Sequence, residues 1–461
     1  MLDLDEPEWA RDTFGSTKLG DARRTERLVR LATAVAERPA GTVTKVVRSS
    51  AEREAAYRLL ENDRVCPREM VRSVGATTAR KCVGHDWIYV PLDQTTLSFI
   101  DRKQTRGLGR VADGTFPNCR GVEVINGLAV DADGRTVGMS AMRWTMRTDE
   151  RVGRRAPEDR ESQMWIDAIA DTEECFREHA PETTLWFQLD AGADHSRNYA
   201  KVIELGHHVT IRCAHNRLIR TQNGPGKLLD EVARQPVLGH MTLHRKEPGS
   251  SKKRRIRLAV RACAVTTMLL IDGQRQPVDL WVVQVREVGR VPSSRERICW
   301  NLLTTYAVED FDDAREVITG YTMRWRIEDF YRTWKNGHCR LEDSQLRSLG
   351  AILRWAIILA AVAARIERIK HRSRSEPDAP ATSEFSREEI DAAIMLSETK
   401  KWKPGDDPTL GPFVTLVAEL GGYTGKSSGG PPGSITIARG LDWLTPAALL
   451  LGRVRRDVAN D

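Results

Sequence analysis

Two apolar segments that each run into an aspartate constrain the fold of this chain most strongly. Residues 87–92 (WIYVPL) precede Asp93, and residues 185–189 (LWFQL) precede Asp190. Short apolar runs rich in aromatic and β-branched residues predict buried strands. A third strand is predicted over residues 122–130, and residues 162–179 have the spacing of a helix. Because strand-like and helix-like segments alternate, the sequence predicts an α/β fold.

The order of these patterns predicts three regions. Residues 1–65 are expected to form a small helical domain, with a break at residues 39–41. Residues 66–370 are expected to form the α/β core, and short β-like segments between about 209 and 310 indicate a β-strand insertion in it. A polar linker over residues 371–386 then leads to a helical C-terminal domain that ends at residue 461.

Composition indicates a globular protein with an acidic partner. The 461 residues are 40% hydrophobic and 29% charged, and the net charge of +7 favours a polyanion, most commonly nucleic acid. The eight cysteines contain no Cys-x-x-Cys pair, which argues against a zinc site and is typical of a reducing cytoplasm. The longest apolar run, residues 355–364, is too short to cross a membrane and predicts a buried helix.

Asp93 and Asp190 are candidate site residues because of their position after buried strands. Side chains at the carboxyl ends of strands emerge into a crevice, where α/β proteins often place a site. The alternative is that each aspartate only caps a turn. For either residue taken alone, the pattern does not decide between these readings.

The segment from residue 321 to residue 335 (YTMRWRIEDFYRTWK) is the most informative in the chain. At about 100° per residue, four polar side chains project along one helical stripe. These are Tyr321, Arg324, Glu328 and Lys335. Such a stripe could bind phosphate oxygens and a metal, or it could be a solvated helix face with an ion pair between Arg324 and Glu328.

The same spacing, Tyr-x-x-Arg-x-x-x-Glu-x6-Lys, resembles the C-terminal motif of the insertion-sequence-four family of DNA transposases, to which the transposon-five type belongs. Residues 19–28 (LGDARRTERL) resemble the N-terminal end-binding segment of that family, and residues 56–60 (AYRLL) resemble the helix after it. Residues 93–98 (DQTTLS) and 190–194 (DAGAD) resemble its two aspartate motifs. The resemblance covers residues 9–370 in order.

The resemblance implies an RNase H-like mixed-sheet core with a β insertion, in which Asp93, Asp190 and Glu328 are the catalytic residues. They would bind two Mg²⁺ ions about 3.5 to 4 Å apart, with Mn²⁺ as a substitute. Tyr321, Arg324 and Lys335 would bind phosphates of the cleaved end. The chain departs from the family at Ala191 and Gly192, where Arg-Glu is common, so auxiliary contacts there are not carried over.

Further candidate DNA contacts lie in three places. Three arginines open a helix in the N-terminal segment, and a basic cluster lies in the β insertion. Trp300 occupies the place where the resemblance puts a tryptophan that stacks on a flipped base, although it could equally be a core residue. The basic cluster could instead be a solvated hairpin tip. Arg212 and Trp325 are two further candidates outside these places. The full set is Arg23, Arg24, Arg27, Arg212, Lys252, Lys253, Arg254, Arg255, Trp300 and Trp325.

The sequence therefore predicts a DNA transposase that binds the inverted repeats at transposon ends, cleaves them through a DNA hairpin, and joins them to target DNA. The expected partners are double-stranded DNA and a second copy of the chain, and no membrane is expected. The expected location is the bacterial cytoplasm, at the nucleoid. Two alternatives remain open: a host-adopted nuclease that does not integrate DNA, and a catalytically silent DNA-binding regulator.

Overall fold

The structure is a computed structural model that describes most of the chain. The described residues are 8–100, 105–111, 119–146, 161–221, 224–246, 253–271, 273–290, 297–397, 401–426 and 430–460. Lys252 and the side chain of Lys253 lie outside this part.

The chain opens with a group of helices. They are α1 (Glu8–Phe14), α2 (Ala22–Glu37), α3 (Val43–Val46), α4 (Ser50–Leu60) and α5 (Pro67–Arg80). The carboxylate of Asp21 caps α2 by accepting a hydrogen bond from the Arg23 amide at 2.9 Å. Leu28 and Leu31 lie on its buried face. The helical pattern predicted here, and its break at residues 39–41, are confirmed.

A mixed sheet forms the centre of the core. Its elements in chain order are β1 (Trp87–Ile100), β2 (Gly109–Arg110), β3 (Cys119–Val130), β4 (Thr136–Thr145), α6 (Glu161–His179), β5 (Thr184–Leu189), α7 (Ser196–Glu204) and β6 (His208–Arg212). Strand β3 pairs antiparallel with β1 and β4, whereas β5 pairs parallel with β1 and β6. The predicted α/β fold is therefore confirmed, and the sheet is mixed as the RNase H-like prediction requires.

Strand β1 is longer than the sequence indicated. The apolar run was expected to end the strand before Asp93, but the strand continues to Ile100 and pairs with β3 along this second half. The parallel pairing with β5 does end at the expected place, since Leu92 opposite Leu189 is its last pair. Asp93 and Asp190 thus both follow the last parallel pair.

The β insertion extends the same sheet. It comprises β7 (Leu218–Thr221), β8 (Gly224–Lys227), α8 (Leu228–Arg234), β9 (Gly239–Lys246), β10 (Lys253–Ile271), β11 (Gln274–Glu287) and β12 (Cys299–Thr304). Strand β12 pairs with β6, which itself belongs to the parallel part of the sheet. The short β-like segments expected here are partly longer strands: β10 is continuous, because Thr266 continues the ladder opposite Asp279 and donates to its carboxylate at 2.6 Å.

The remaining chain is helical. It forms α9 (Phe311–Met323), α10 (Trp325–Lys335), α11 (Leu349–Ser375), α12 (Arg387–Leu396), α13 (Leu410–Leu420) and α14 (Ser434–Asn460). By length and composition α11 could cross a membrane, but 83% of its most apolar window is buried inside the protein, as predicted for a core helix. The linker expected from residue 371 starts later, because α11 continues to Ser375 and His371 is buried against Thr136.

Helix α11 joins the N-terminal helices to the core. The Trp355 indole donates to the carbonyl of Gly41 at 2.9 Å, and the guanidinium of Arg354 donates to the carbonyls of Leu60 and Val65. Carbonyls at helix ends and in turns need such donors, and the α11 side chains supply them here. Buried residues of the N-terminal helices share one hydrophobic core with α10 and α11.

Candidate active site

The register of the sheet places the two aspartates side by side. Asp93 and Asp190 directly follow the paired residues Leu92 and Leu189 on neighbouring parallel strands. Each carboxylate accepts a local backbone hydrogen bond at 2.9 Å, Asp93 from the Gln94 amide and Asp190 from the Gly192 amide. These bonds orient the two carboxylates at the edge where the parallel pairing ends.

Glu328 reaches this edge from the helical segment, although that segment is not the continuous helix that the sequence predicted. Helix α9 ends at Met323, and α10 begins at Trp325. The turn at Arg324 keeps helical backbone angles, but its amide bonds to the carbonyl of Tyr321 three residues back. As a result Glu328 lies in the first turn of α10, where the helix dipole favours a carboxylate.

Arg324 bridges two of the three carboxylates. Its Nη1 donates to Asp93 Oδ2 at 3.1 Å, and its Nη2 donates to Glu328 Oε1 at 2.9 Å. The Arg324 and Asp93 side chains are only 12% and 16% exposed, whereas Glu328 is 51% exposed. The ion pair between Arg324 and Glu328 was foreseen as a solvated surface pair. Through Asp93 it is instead part of the candidate site.

The electrostatics of Asp93 show that negative charge is concentrated here. Burial, together with the neighbouring carboxylates of Asp190 and Glu328, raises the pKa of Asp93 to about 6, against the lowering effect of Arg324 and the Gln94 amide. A carboxylate that is both buried and surrounded by others is costly to ionise. A bound cation would remove that cost.

The donor set fits a hard divalent cation. Three carboxylates offer only oxygen ligands, which Mg²⁺ and Mn²⁺ prefer. The pKa of Asp93 is raised by burial and by the neighbouring carboxylates, and Arg324 does not fully offset this effect. Among the described residues, one group of three ligand atoms lies within 4.8 Å of one another, and it is a different one: Asp329, Glu367 and His371. Of this group, Asp329 directly follows Glu328 on α10, whereas Glu367 and His371 belong to α11.

Two neighbours of the site were missed or assigned differently from sequence. The Tyr331 hydroxyl donates to the backbone carbonyl of Asp93 at 2.5 Å. The ammonium of Lys335, expected at a phosphate, donates to the carbonyl of Thr96 at 2.6 Å and lies 3.4 Å from Glu342. Both contacts hold α10 against β1. Tyr331 lies in the quoted motif segment, one helical turn from Glu328, and that spacing was the available signal.

An aromatic group flanks the triad. The ring of Trp300 on β12 lies 5.8 Å from that of Tyr321 and 6.0 Å from that of Trp325, in edge-to-face contacts. Trp300 is 8% exposed and Trp325 is half-buried. Burial raises the pKa of Tyr321, which Arg324 and Arg212 lower, so the exposed Arg212 also faces this group.

The basic cluster of the β insertion is divided between two sheet faces. Side chains alternate along a strand, so Arg254 points to the opposite face from Arg255 and Arg257. Arg254 pairs with the buried Glu287, whereas Arg255 and Arg257 are exposed. Arg286, opposite Ala259 in the neighbouring strand, is exposed on their face. Sequence reasoning missed Arg286 because it is distant along the chain from Arg255 and Arg257.

The three N-terminal arginines have different surroundings. Arg23 is exposed and lies against Asp21, with 92% of its side chain accessible. Arg24 donates to the carbonyl of Leu19 at 2.7 Å and so braces the turn before α2. Arg27 is partly exposed one helical turn further along. Arg23 and Arg27 thus remain available at the surface of α2.

Comparison with known protein families agrees with this arrangement. Residues 6–65 match the family model described as Transposase DNA-binding. Residues 166–364 match the family model described as Transposase DDE domain, which includes Asp190 and Glu328. The first match covers the helices up to α4, and the second covers β5, the insertion and α10. The chain therefore contains one region similar to transposase DNA-binding domains and one similar to transposase DDE domains, which supports a metal-dependent enzyme that cuts DNA.

Proposed function

We propose that the protein is a cut-and-paste transposase of the insertion-sequence-four family, transposon-five type. It binds the inverted repeats at transposon ends, cleaves them and joins them to target DNA. The observation that carries this proposal is that Asp93 lies beside Asp190 at the end of the parallel strands and is bridged to Glu328 by Arg324.

The three carboxylates are proposed to hold two Mg²⁺ ions, which Mn²⁺ can replace. Two such ions supply an activated oxygen nucleophile and stabilise the leaving oxygen. The protein residues supply position and charge around them. Asp93 and Asp190 are fixed by their strands, and Glu328 is fixed by α10, which Tyr331 and Lys335 hold against β1.

Arg324 is proposed to change partners when DNA binds. Its Nη atoms bind Asp93 and Glu328, and its buried Nε–H has no partner among the described residues. A buried donor without a partner is unfavourable. Once the carboxylates serve as metal ligands, the guanidinium can bind a phosphate oxygen of the cleaved end.

The aromatic group beside the triad supports the proposal of a hairpin intermediate. A DNA hairpin bends so tightly that a base next to it leaves the stack. Trp300, Tyr321 and Trp325 lie together next to Arg324. We propose that Trp300 stacks on the displaced base, while Tyr321 and Arg324 bind the adjacent phosphate.

DNA outside the catalytic site is proposed to contact two basic surfaces. Arg23 and Arg27 at the start of α2 are placed to bind the end sequence. Arg255, Arg257 and Arg286 form an exposed basic face on the insertion, which can follow a phosphate backbone without reading bases.

Helix α14 is proposed to form the contact between two copies of the chain. Its exposed apolar residues project within about 80° of one another at helical spacing. They are Trp443, Leu450, Val454 and Val458, with exposed fractions of 65, 63, 50 and 71%. A stripe of this kind is self-complementary across a twofold axis, and a homodimer would bring two ends together.

The deciding experiment replaces Glu328 by Gln, which removes a metal ligand and keeps the shape. We expect cleavage of an end duplex to be abolished and gel-shift affinity for that duplex to be nearly unchanged. The matched control is Glu309→Gln, the same chemical change at an exposed residue. A Glu328→Gln protein that cleaves normally would exclude this site. A plasmid assay for excision and insertion separates a transposase from a nuclease that only cuts.

A further inference from the structure

A buried polar cluster, here called the rear cluster, lies behind α10. It is on the side of this helix away from the stripe of Arg324, Glu328 and Lys335, which is proposed to face the DNA. Glu367 on α11 is completely buried. Its Oε1 accepts hydrogen bonds from Thr333 on α10 at 2.6 Å and from Ser434 at the start of α14 at 2.7 Å. Its Oε2 pairs with the ammonium of Lys370, which also lies 3.5 Å from Asp329 Oδ2. One carboxylate thus connects three helices.

The rear cluster contacts residues of α10 that lie close to Glu328, the candidate metal ligand. Asp329 directly follows Glu328, and Thr333 lies one turn after Asp329 on the same face of α10. Apolar contacts of Ile327 and Phe330 are not directional, so they do not by themselves determine how far α10 is rotated. Hydrogen bonds are directional and do determine it. Tyr331 and Lys335 bind β1 from one side of α10, and the bond from Thr333 to the buried Glu367 carboxylate holds the opposite side.

Small rotations of this helix matter for metal binding. A carboxylate tip lies roughly 5 to 6 Å from the helix axis, so a rotation of about 20° moves it by about 2 Å. Catalytic groups must be held to within roughly 0.5 Å. Contacts that fix the rotation of α10 therefore act on the metal affinity of Glu328.

A metal ion in the rear cluster itself is the competing explanation, since ligand atoms of Asp329, Glu367 and His371 lie within 4.8 Å of one another. The ammonium of Lys370 already supplies a cation between two of these carboxylates. Burial, together with Arg326, Lys370 and Arg374, lowers the pKa of His371 to about 2. A neutral imidazole could still bind a metal, but the ammonium of Lys370, with Arg326 and Arg374 nearby, disfavours a further cation.

We propose that Glu367 is a positioning residue for the catalytic site: it fixes the rotation of α10, and hence the metal-binding geometry of Glu328, and it ties this helix to the first turn of α14. The proposal rests on the proposed function in one respect, that Glu328 binds metal. It adds a physical link between the catalytic helix and the helix proposed to join two copies of the chain.

The test measures Mn²⁺ binding to the full chain by electron paramagnetic resonance, with no cleavage required. In Glu367→Gln the Mn²⁺ dissociation constant at the triad should rise roughly tenfold, the scale of changes behind metal ligands. Thr333→Val, which removes the donor and keeps the shape, should raise it several-fold. Thr333→Ser, which keeps the donor, should stay within about twofold of the wild type.

The control for general destabilisation is Glu389→Gln. Glu389 is also a buried carboxylate, paired with Arg365 at 3.0 Å and located at the N-terminus of α12. It should lower the melting temperature without changing Mn²⁺ affinity. If Glu367→Gln does not fold, the comparison of Thr333→Val with Thr333→Ser decides. The proposal is overturned if Glu367→Gln, or Thr333→Val in its place, binds Mn²⁺ as Glu389→Gln does.

Glu328→Gln separates failure of this inference from failure of the proposed function. Weak Mn²⁺ binding in Glu328→Gln with normal binding in Glu367→Gln would refute only the positioning role. Normal binding in Glu328→Gln would refute the metal site itself. Loss of one bound Mn²⁺ in Glu367→Gln, with unchanged affinity of the remaining ions, would show that the rear cluster holds a metal and would also overturn the proposal.

Discussion

Replacing Asp93 by Asn should make the metal-free protein more stable while it destroys metal binding. Asp93 is buried beside two carboxylates, and its pKa is raised from 3.8 to about 6. The unfolded chain therefore ionises this group at lower pH than the folded protein does. Between these two pKa values the folded state binds more protons, so its stability falls as the pH rises. Above about pH 6 the full cost of ionised Asp93 is present.

The magnitude follows from the displacement of the pKa. Raising it from 3.8 to about 6 corresponds to about 3 kcal/mol in the free energy of unfolding at pH 7.5, and to about half of that at pH 5. Asn keeps an oxygen that can accept from Arg324, so most of this cost should be relieved. We expect Asp93→Asn to be about 1 to 3 kcal/mol more stable than the wild type at pH 7.5.

Urea denaturation in EDTA, followed by tryptophan fluorescence, measures this difference at both pH values. Glu328→Gln is the matched comparison within the site. That carboxylate is half exposed, so its removal should change the stability little. Adding Mg²⁺ should stabilise the wild type, because the ion binds the folded state, and should leave Asp93→Asn unchanged. Equal stabilities of Asp93→Asn and wild type at pH 7.5, or a difference that does not shrink at pH 5, would refute the reasoning.

Three further outcomes are expected. The double variant Arg23→Ala, Arg27→Ala should bind end DNA more weakly, and the salt dependence of its binding constant should fall by roughly one per lost phosphate contact, whereas Arg58→Ala on the exposed face of α4 should change neither. If filter binding gives the double variant and the wild type equal salt slopes, these arginines do not recognise the end. Trp300→Ala should allow the first nick but slow hairpin formation about tenfold, since base stacking contributes roughly 1 to 3 kcal/mol; hairpins at the normal rate on a denaturing gel would make the indole a packing residue. Trp443→Asp should abolish dimers in light scattering with end DNA, unlike Val83→Asp at another exposed site; dimers in both would remove α14 from the interface.

Local sequence patterns were sufficient for the fold class, and they made the acidic residues candidates whose catalytic role was inferred from the family resemblance. Apolar runs predicted the parallel strands, and their ends predicted Asp93 and Asp190, because strand ends open into a crevice. The stripe with Glu328 followed from helical periodicity, although the helix break at Arg324 did not. Patterns of this kind depend on neighbours a few residues away, which the sequence displays directly.

Contacts between distant segments could not be predicted in this way. The bridge from Arg324 to Asp93, the raised pKa of Asp93 and the contact of Lys335 with β1 each join residues far apart in the chain. The strand register likewise places Arg254 on the opposite face of the sheet from Arg255, and Arg286 on the same face as Arg255.

The sequence by itself determined which chemical groups the protein has and on which kind of element each one lies. Only the tertiary structure decided how strongly those groups interact. Burial and distance set the energy of a charge, and neither is a property of a residue or of its neighbours in the chain. Glu367 illustrates this: in sequence it is one carboxylate on an apolar helix, and in the fold it joins α10, α11 and α14 behind the candidate active site.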